Sequence, residues 1–225
     1  MRAMSTTSPT HRAIDAVWRI ESARVIAGLA RMLRDLDLAE ELAQDALVAA
    51  LETWPRDGVP DNPGAWLMTT AKRRAIDRLR RLQLLDRKHE ELARELEDIQ
   101  DERRSRDEDA LDHDIDDDLL RLVFVSCHPV LSMDARVALT LRLLCGLTTD
   151  EIARAFLAAE PTVAQRIVRA KRTLAEADVA FEVPRGDALQ ERLASVLGVV
   201  YLVFNEGYAA TSGDDWVRPA LCEEA

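Results

Sequence analysis

The 225-residue chain is poor in the residues that build sheets, disulfide frameworks and membrane spans. Aromatic residues make up only 4% of it, glycine and proline number eight each, and cysteine three. Scarce glycine and proline, with no alternating β-branched run, argue against an all-β or α/β fold. Cys127, Cys145 and Cys222 are too few and too scattered for a disulfide framework. No apolar stretch reaches the roughly 18–20 residues that cross a bilayer. The start, MRAMSTTSPTHRAID, lacks the apolar core of a signal peptide. A cytoplasmic protein without membrane contact is expected. A glycine-rich phosphate loop, a serine elbow and a carboxylate pair are all missing, which argues against an enzyme. Cys127, His128 and Cys145 do not have zinc-ligand spacing, and Asp112-His113-Asp114 sits in an acidic run. Cys127 reads instead as a buried thiol before a helix end at Pro129. No metal and no cofactor are expected.

What the chain has is alanine, leucine, arginine and acid. Charged residues are 32% of the sequence and the net charge is −11. That total argues against nucleic acid until it is mapped. Residues 83–118 carry a net −10 and residues 187–225 a net −5, whereas residues 1–82 and 119–186 each carry +2. Local charge sets where phosphate binds, so the acidity of one linker and one tail leaves two regions able to meet DNA.

Along the chain, residues 1–12 read as disordered. A helix is expected from Ala13, with Ile14, Val17, Trp18, Val25, Leu29, Met32, Leu33 and Leu36 on one side. Asp37 is a candidate cap for a second helix ending before Pro55, because proline interrupts helical hydrogen bonding. Residues 56–64 are dense in turn formers. A third helix from Pro63 or Gly64 to Leu85 packs Trp66, Leu67, Thr70, Ala71, Ile76 and Leu79. Its other faces carry Lys72, Arg73, Arg74, Arg78, Arg80 and Arg81. Residues 86–118 read as a flexible acidic linker, since Asp107–Asp118 cannot bury enough surface to fold alone. Helices are expected at Leu119–Cys127, Met133–Cys145 and Leu189–Tyr208.

Leu147–Leu174 is the most informative stretch. Thr148 and Glu151 form a capping box for one helix, and Pro161 suits the first turn of the next. Val163, Ile167 and Leu174 give that helix an inner stripe. Thr162, Gln165, Arg166, Arg169, Lys171 and Arg172 are assigned to its outer side. Guanidinium and amide groups on an outward second helix suit major-groove reading, where each arginine–guanine pair discriminates by about 1–3 kcal/mol. An ordinary helical hairpin with a solvated charged face fits the same pattern.

With both basic helices in view, the chain resembles a bacterial RNA polymerase sigma factor of the extracytoplasmic-function type. The resemblance rests on Glu41-Leu42-Ala43-Gln44-Asp45-Ala46, on Ala65-Trp66-Leu67 with Ala71–Arg81, on Glu151-Ile152-Ala153, and on Val168-Arg169-Ala170-Lys171-Arg172. It implies an all-α protein. Residues 13–85 would form a region 2-like domain and residues 119–181 a region 4-like helix-turn-helix domain, joined by the acidic linker 86–118. It further implies that Glu40, Glu41, Gln44 and Asp45 meet core polymerase, through the clamp of its largest subunit, with the flap as a second contact. Asp61, Asn62, Lys72, Arg73, Arg74, Arg78, Arg80 and Arg81 would serve the −10 element of promoter DNA. The outward residues of the second hairpin helix would serve the −35 element, Arg166 and Arg169 foremost, with Lys171 and Arg172 on phosphate. The linker would run toward the RNA exit channel, or act as a plain spacer. Trp54–Pro60, Cys127-His128-Pro129 and Leu202–Tyr208 resemble the subgroup with a helical, tetratricopeptide-like C-terminal extension. The segment 187–225 would be its start, cut short, and the extension is the expected regulator. The main alternative is a helix-turn-helix transcriptional regulator with an N-terminal sensing or dimerisation domain. A helical scaffold without a DNA role is a third.

Overall fold

In a computed structural model, the backbone is described for residues 9–94 and 115–208, and side chains for residues 9–81 and 117–204. The described residues form eight α-helices and no strand. The remaining linker residues, the first eight residues and the last seventeen lie outside them, and with them the readings of residues 1–8 as disordered, of the linker interior as flexible and of Asp112–Asp114 as acidic surface.

The first three helices, α1 (Pro9–Leu33), α2 (Leu36–Asp57) and α3 (Pro63–Arg94), pack pairwise on one another. Alanine makes this possible. Ala39, Ala43, Ala46 and Ala50 recur at helical spacing on α2 and are fully buried, as are Ala71 and Ala75 on α3. Small side chains let helix axes approach closely, while Ile14, Val25, Leu29 and Leu67 fill the remaining space. Each of those larger side chains contributes about 1.5–3 kcal/mol on burial. Trp54 is buried at the foot of α2 and meets Trp66 edge to face, with ring centroids 5.3 Å apart.

Several local expectations change, among them the end of α3, which runs to Arg94 rather than Leu85 and so takes in the first part of the expected linker. The first helix begins at Pro9 rather than Ala13, and Met32 stays exposed instead of joining the stripe. The cap of α2 is Asp35, whose carboxylate accepts from Leu38 N–H at 3.0 Å; Asp37 lies inside the first turn. Helix α2 also passes through Pro55 to Asp57. Proline there falls in the last turn, where only one hydrogen bond is lost, and Gly58 at φ +88° closes the helix by donating to Trp54 O.

The second group is α4 (Ile115–Ser126), α5 (Met133–Leu143), α6 (Thr149–Ala155) and α7 (Glu160–Glu176). Ser132 caps α5, and Thr148 with Glu151 forms the expected capping box on α6. Pro161 occupies the first turn of α7, and Val163, Ile167, Ala170 and Leu174 are its buried stripe. The last helix, α8 (Asp187–Tyr208), lies on α4 and α5. Arg136 of α5 holds it: the guanidinium donates to Ser195 Oγ at 2.9 Å and to the carbonyls of Leu131 and Pro129 at 2.8 and 2.9 Å. Ser195 in turn donates to Cys127 O, and Arg192 to Phe124 O at 2.8 Å. The expected buried thiol is found, with Cys127 Sγ 3.5 Å from Thr140 Oγ1.

The two groups share one core, because α1 also packs along α4 and touches α5.

Candidate nucleic-acid and polymerase interface

The periodicity of α7 decides what faces outward. With Val163, Ile167, Ala170 and Leu174 turned in, Thr162, Gln165, Arg169 and Arg172 are exposed on the opposite side. Arg166 is half-buried. Its guanidinium lies 5.6 Å from the Phe156 ring centre and 3.4 Å from the Asp134 carboxylate. Such a cation–π contact on the preceding helix of the hairpin fixes the arginine's direction. Thr162, Gln165, Arg166 and Arg169 line one groove together with Val130, Leu131 and Ser132 at the start of α5. That juxtaposition is what a groove-reading helix needs: amide and guanidinium groups on a single ridge. Arg172 pairs with Glu176 at 2.7 Å.

Lys171 does not join this ridge. Its side chain is 9% exposed, with Nζ 2.5 Å from Glu40 Oε2 and 2.7 Å from Asp37 Oδ1. The expectation of an outward phosphate ligand is therefore corrected for this arrangement: position 171 borders the buried stripe, four residues after Ile167 and three before Leu174.

Glu40 is corrected in the same way. It was assigned to a polymerase-facing surface, yet it is 7% exposed. Its carboxylate accepts from Arg142 Nε at 2.7 Å and Gln44 Nε2 at 2.9 Å besides pairing with Lys171. Burial alone would raise its pKa; the Lys171 and Arg142 charges outweigh burial and hold it below the usual carboxylate range. Lys171 mirrors this, with burial opposing its charge and Glu40 and Asp37 raising its pKa on balance. Gln44 and Asp45 are half-buried, and Glu41 remains on the surface.

Glu41 and Asp45 share a groove with Arg74, Arg78 and Arg81 of α3, and Arg74 bridges Asp45 at 3.2 Å. The acidic and basic candidate sets thus meet along the α2–α3 seam. Arg73, Arg78, Arg80 and Arg81 are exposed, whereas Lys72 is half-buried. Asp61 is exposed at the α2–α3 turn. Asn62 beside it caps α3, its side-chain oxygen accepting from Ala65 N–H at 3.1 Å, so only its amide NH2 is left to reach a base.

Several residues at this site escaped sequence reasoning. Arg142 joins Glu40 to the carbonyl of Leu147, at the entrance of the hairpin. Arg19 of α1 pairs with Glu151 of the α6 capping box at 3.4 Å. Asp118 was expected on a solvated acidic linker. It is 3% exposed and joins Arg31 at 3.0 Å to Arg121. The correction has a plain cause: α4 begins at Ile115, so Asp118 belongs to a packed helix.

The comparisons agree with the geometry. Sigma-70 region 2 matches residues 19–84, which are α1 to α3, and Sigma-70, region 4 matches residues 121–174, which hold α4 to α7. The chain belongs to the sigma-70 family. A further match, to a family of unknown function, covers residues 192–225 and begins within α8. Region 2, region 4 and a C-terminal extension, in that order, make it a sigma factor of the extracytoplasmic-function type with an extension. An uncharacterized protein of Rhizobium meliloti (strain 1021) is 43% identical over 203 residues, covering 90% of this chain and 47% of that protein. The chain thus spans about half the length of this relative. Among the described residues of the sigma factor, no helix is long and apolar enough to cross a membrane.

Proposed function

We propose that this sigma factor joins core RNA polymerase and directs promoter-specific initiation of transcription in the cytoplasm. Region 2 meets the polymerase clamp through Glu41, Gln44 and Asp45. Arg73, Arg74, Arg78, Arg80 and Arg81, with Lys72, form the basic track for the −10 strand, and Asp61 and Asn62 lie at the turn where a base can be held. Region 4 places Thr162, Gln165, Arg166 and Arg169 on the −35 element, with Arg172 on phosphate, beside the polymerase flap. Lys171 and Glu40 join their sets only when the two regions part. The extension from residue 187 acts as a regulator seated on region 4. No catalytic residue is assigned, because RNA synthesis belongs to the polymerase.

The observation that carries this reading is the single ridge of Thr162, Gln165, Arg166 and Arg169 on α7, opposite a fully buried stripe. A second basic helix, α3, facing an acidic polymerase-type surface on α2 favours a sigma factor over a self-sufficient helix-turn-helix regulator. Reconstituted transcription with core polymerase and genomic fragments is the test. Initiation at discrete sites that depends on this protein is expected. Core binding without site-selective initiation would overturn the proposal.

A further inference from the structure

The turn between α4 and α5 has two faces. On one, Val130, Leu131 and Ser132 form a wall of the groove that Gln165, Arg166 and Arg169 of α7 complete. On the other, its carbonyls are taken up one by one. Cys127 O accepts from Ser195 of α8. Pro129 O and Leu131 O accept from Nη2 and Nε of Arg136 at 2.9 and 2.8 Å. The third nitrogen of Arg136 donates to Ser195 Oγ at 2.9 Å, so one serine joins both halves of the network. Within the turn, Val130 N–H donates to His128 Nδ1 at 3.1 Å and Leu131 N–H to His128 O at 3.0 Å. Burial, with Arg192 and Arg136 nearby, lowers the His128 pKa and keeps that acceptor nitrogen unprotonated at neutral pH.

The chemistry of this seat is more than α8 needs in order to stay in place. Val196, Val199 and Val203 already bury the helix. Apolar burial is non-directional and would hold α8 without fixing any carbonyl. Hydrogen bonds are directional, and a planar guanidinium with all three nitrogens engaged fixes its acceptors relative to one another. Arg136 and Ser195 thereby set the backbone of residues 127–131. The next residue, Ser132, caps α5, and Asp134 in the first turn of that helix lies 3.4 Å from the Arg166 guanidinium. The placement of the turn is thus carried to an arginine of the α7 ridge. We propose that Arg136 and Ser195 are positioning residues for −35 recognition: through them α8 fixes the 129–132 wall of the reading groove, and the wall fixes the direction of Arg166. The proposal rests on α7 being the −35 reader. It gives the first helix of the extension a share in sequence selectivity without any contact of its own to DNA.

The test uses the full chain with core polymerase. The templates are a promoter at which wild type initiates and copies with single base-pair changes in the −35 or the −10 element. One arginine–guanine pair discriminates by about 5- to 150-fold. Ser195→Ala removes the shared hydroxyl and should cut −35 discrimination by about threefold or more, with −10 discrimination and core binding unchanged. Ser195→Thr keeps the hydroxyl and should restore it. Val203→Ala, a core loss elsewhere on α8, is the control for stability: it should lower Tm at least as far while −35 discrimination keeps its wild-type value. Should Ser195→Ala lose helix content by circular dichroism, Arg136→Lys replaces it, since it keeps the charge without the fork that reaches three acceptors. Amide hydrogen exchange of the free protein reads the turn directly: Val130 and Leu131 should exchange about tenfold faster in Ser195→Ala but not in Val203→Ala. Equal −35 discrimination in wild type and Ser195→Ala, or a loss that Val203→Ala matches, overturns the positioning role. A wild type indifferent to every −35 change overturns α7 as the reader, and the positioning role with it. Exchange that still responds to Ser195→Ala would then place the failure in the reading and not in the seat.

Discussion

Replacing Arg136 with methionine should detach the extension from region 4. The guanidinium makes three hydrogen bonds, to Leu131 O, Pro129 O and Ser195 Oγ, all at 2.8–2.9 Å. Bonds to a charged donor contribute about 1.5–3 kcal/mol each, though they are not additive and Arg136 is only half-buried. Methionine fills the volume of the stem but leaves two carbonyls of the α4–α5 turn without this partner. The loss should be about 3 kcal/mol, which for a chain of this size lowers Tm by about 6–12 °C. Ser195→Ala breaks the same contact from the other side and also frees Cys127 O, at a cost of about 1–2 kcal/mol. Urea unfolding followed by circular dichroism gives both values and that of the double variant. A coupling of about 1 kcal/mol between the two positions is expected, because they share one bond. Limited proteolysis should cut the 182–187 connector faster in Arg136→Met. A cost below about 0.5 kcal/mol, with unchanged cleavage, would show that α8 is seated by apolar contact alone and refute the reasoning.

Ala43→Leu should destabilise region 2 by about 1–3 kcal/mol, measured by thermal unfolding, because α2 approaches its neighbours through a fully buried alanine stripe. Arg169→Ala should weaken binding to the preferred promoter by about 1–3 kcal/mol and relax selectivity there, if its guanidinium reads a base; a uniform loss across sequences with a shallower salt slope would assign it to phosphate. Acidification should weaken the contact between α2 and α7. Glu40 faces Asp37 and Gln44 on its own helix, Arg142 on α5 and Lys171 on α7, and its pKa is lowered on balance. Its contribution is thus complete above the ordinary 4.5 and fades as pH falls through the lowered value. Lys171, raised above the ordinary 10.5, contributes below that value and is lost only as pH rises through its own. Between these limits the contribution of this ion pair to urea-unfolding stability should stay constant with pH; its loss near neutrality would refute the assignment.

How much of this was legible beforehand follows from which forces are local. The capping box at Thr148–Glu151, the proline in the first turn of α7 and the stripe Val163–Ile167–Leu174 are set by residues three or four apart, and all are found as read. The cap of α2 was misplaced by two positions and that of α3 was missed, because Asp35, Asp37, Asp61 and Asn62 all offer suitable oxygens and only the backbone selects between them. The larger misses share one origin. Lys171 and Glu40 were assigned by charge, and a charge was taken to face solvent. Their helical positions carried the opposite signal. Lys171 falls on the edge of a stripe formed by Ile167 and Leu174, and Glu40 stands three residues before buried Ala43 on α2. A charge at the margin of a buried stripe requires a counter-charge, and Glu40 and Lys171 supply it to one another, together with Arg142. Local pattern can therefore raise the question of a partner, but it cannot supply the answer. Helices α2 and α7 are more than a hundred residues apart in sequence, and only packing brings Glu40 to Lys171. The same holds for Asp118, which looked like one more acid in an acidic run until Arg31 of α1 was placed beside it. Contacts made within a helix were readable from spacing. The ionic contacts between α2 and α7 and between α1 and α4 were not, since they are made between helices whose relation the spacing does not encode.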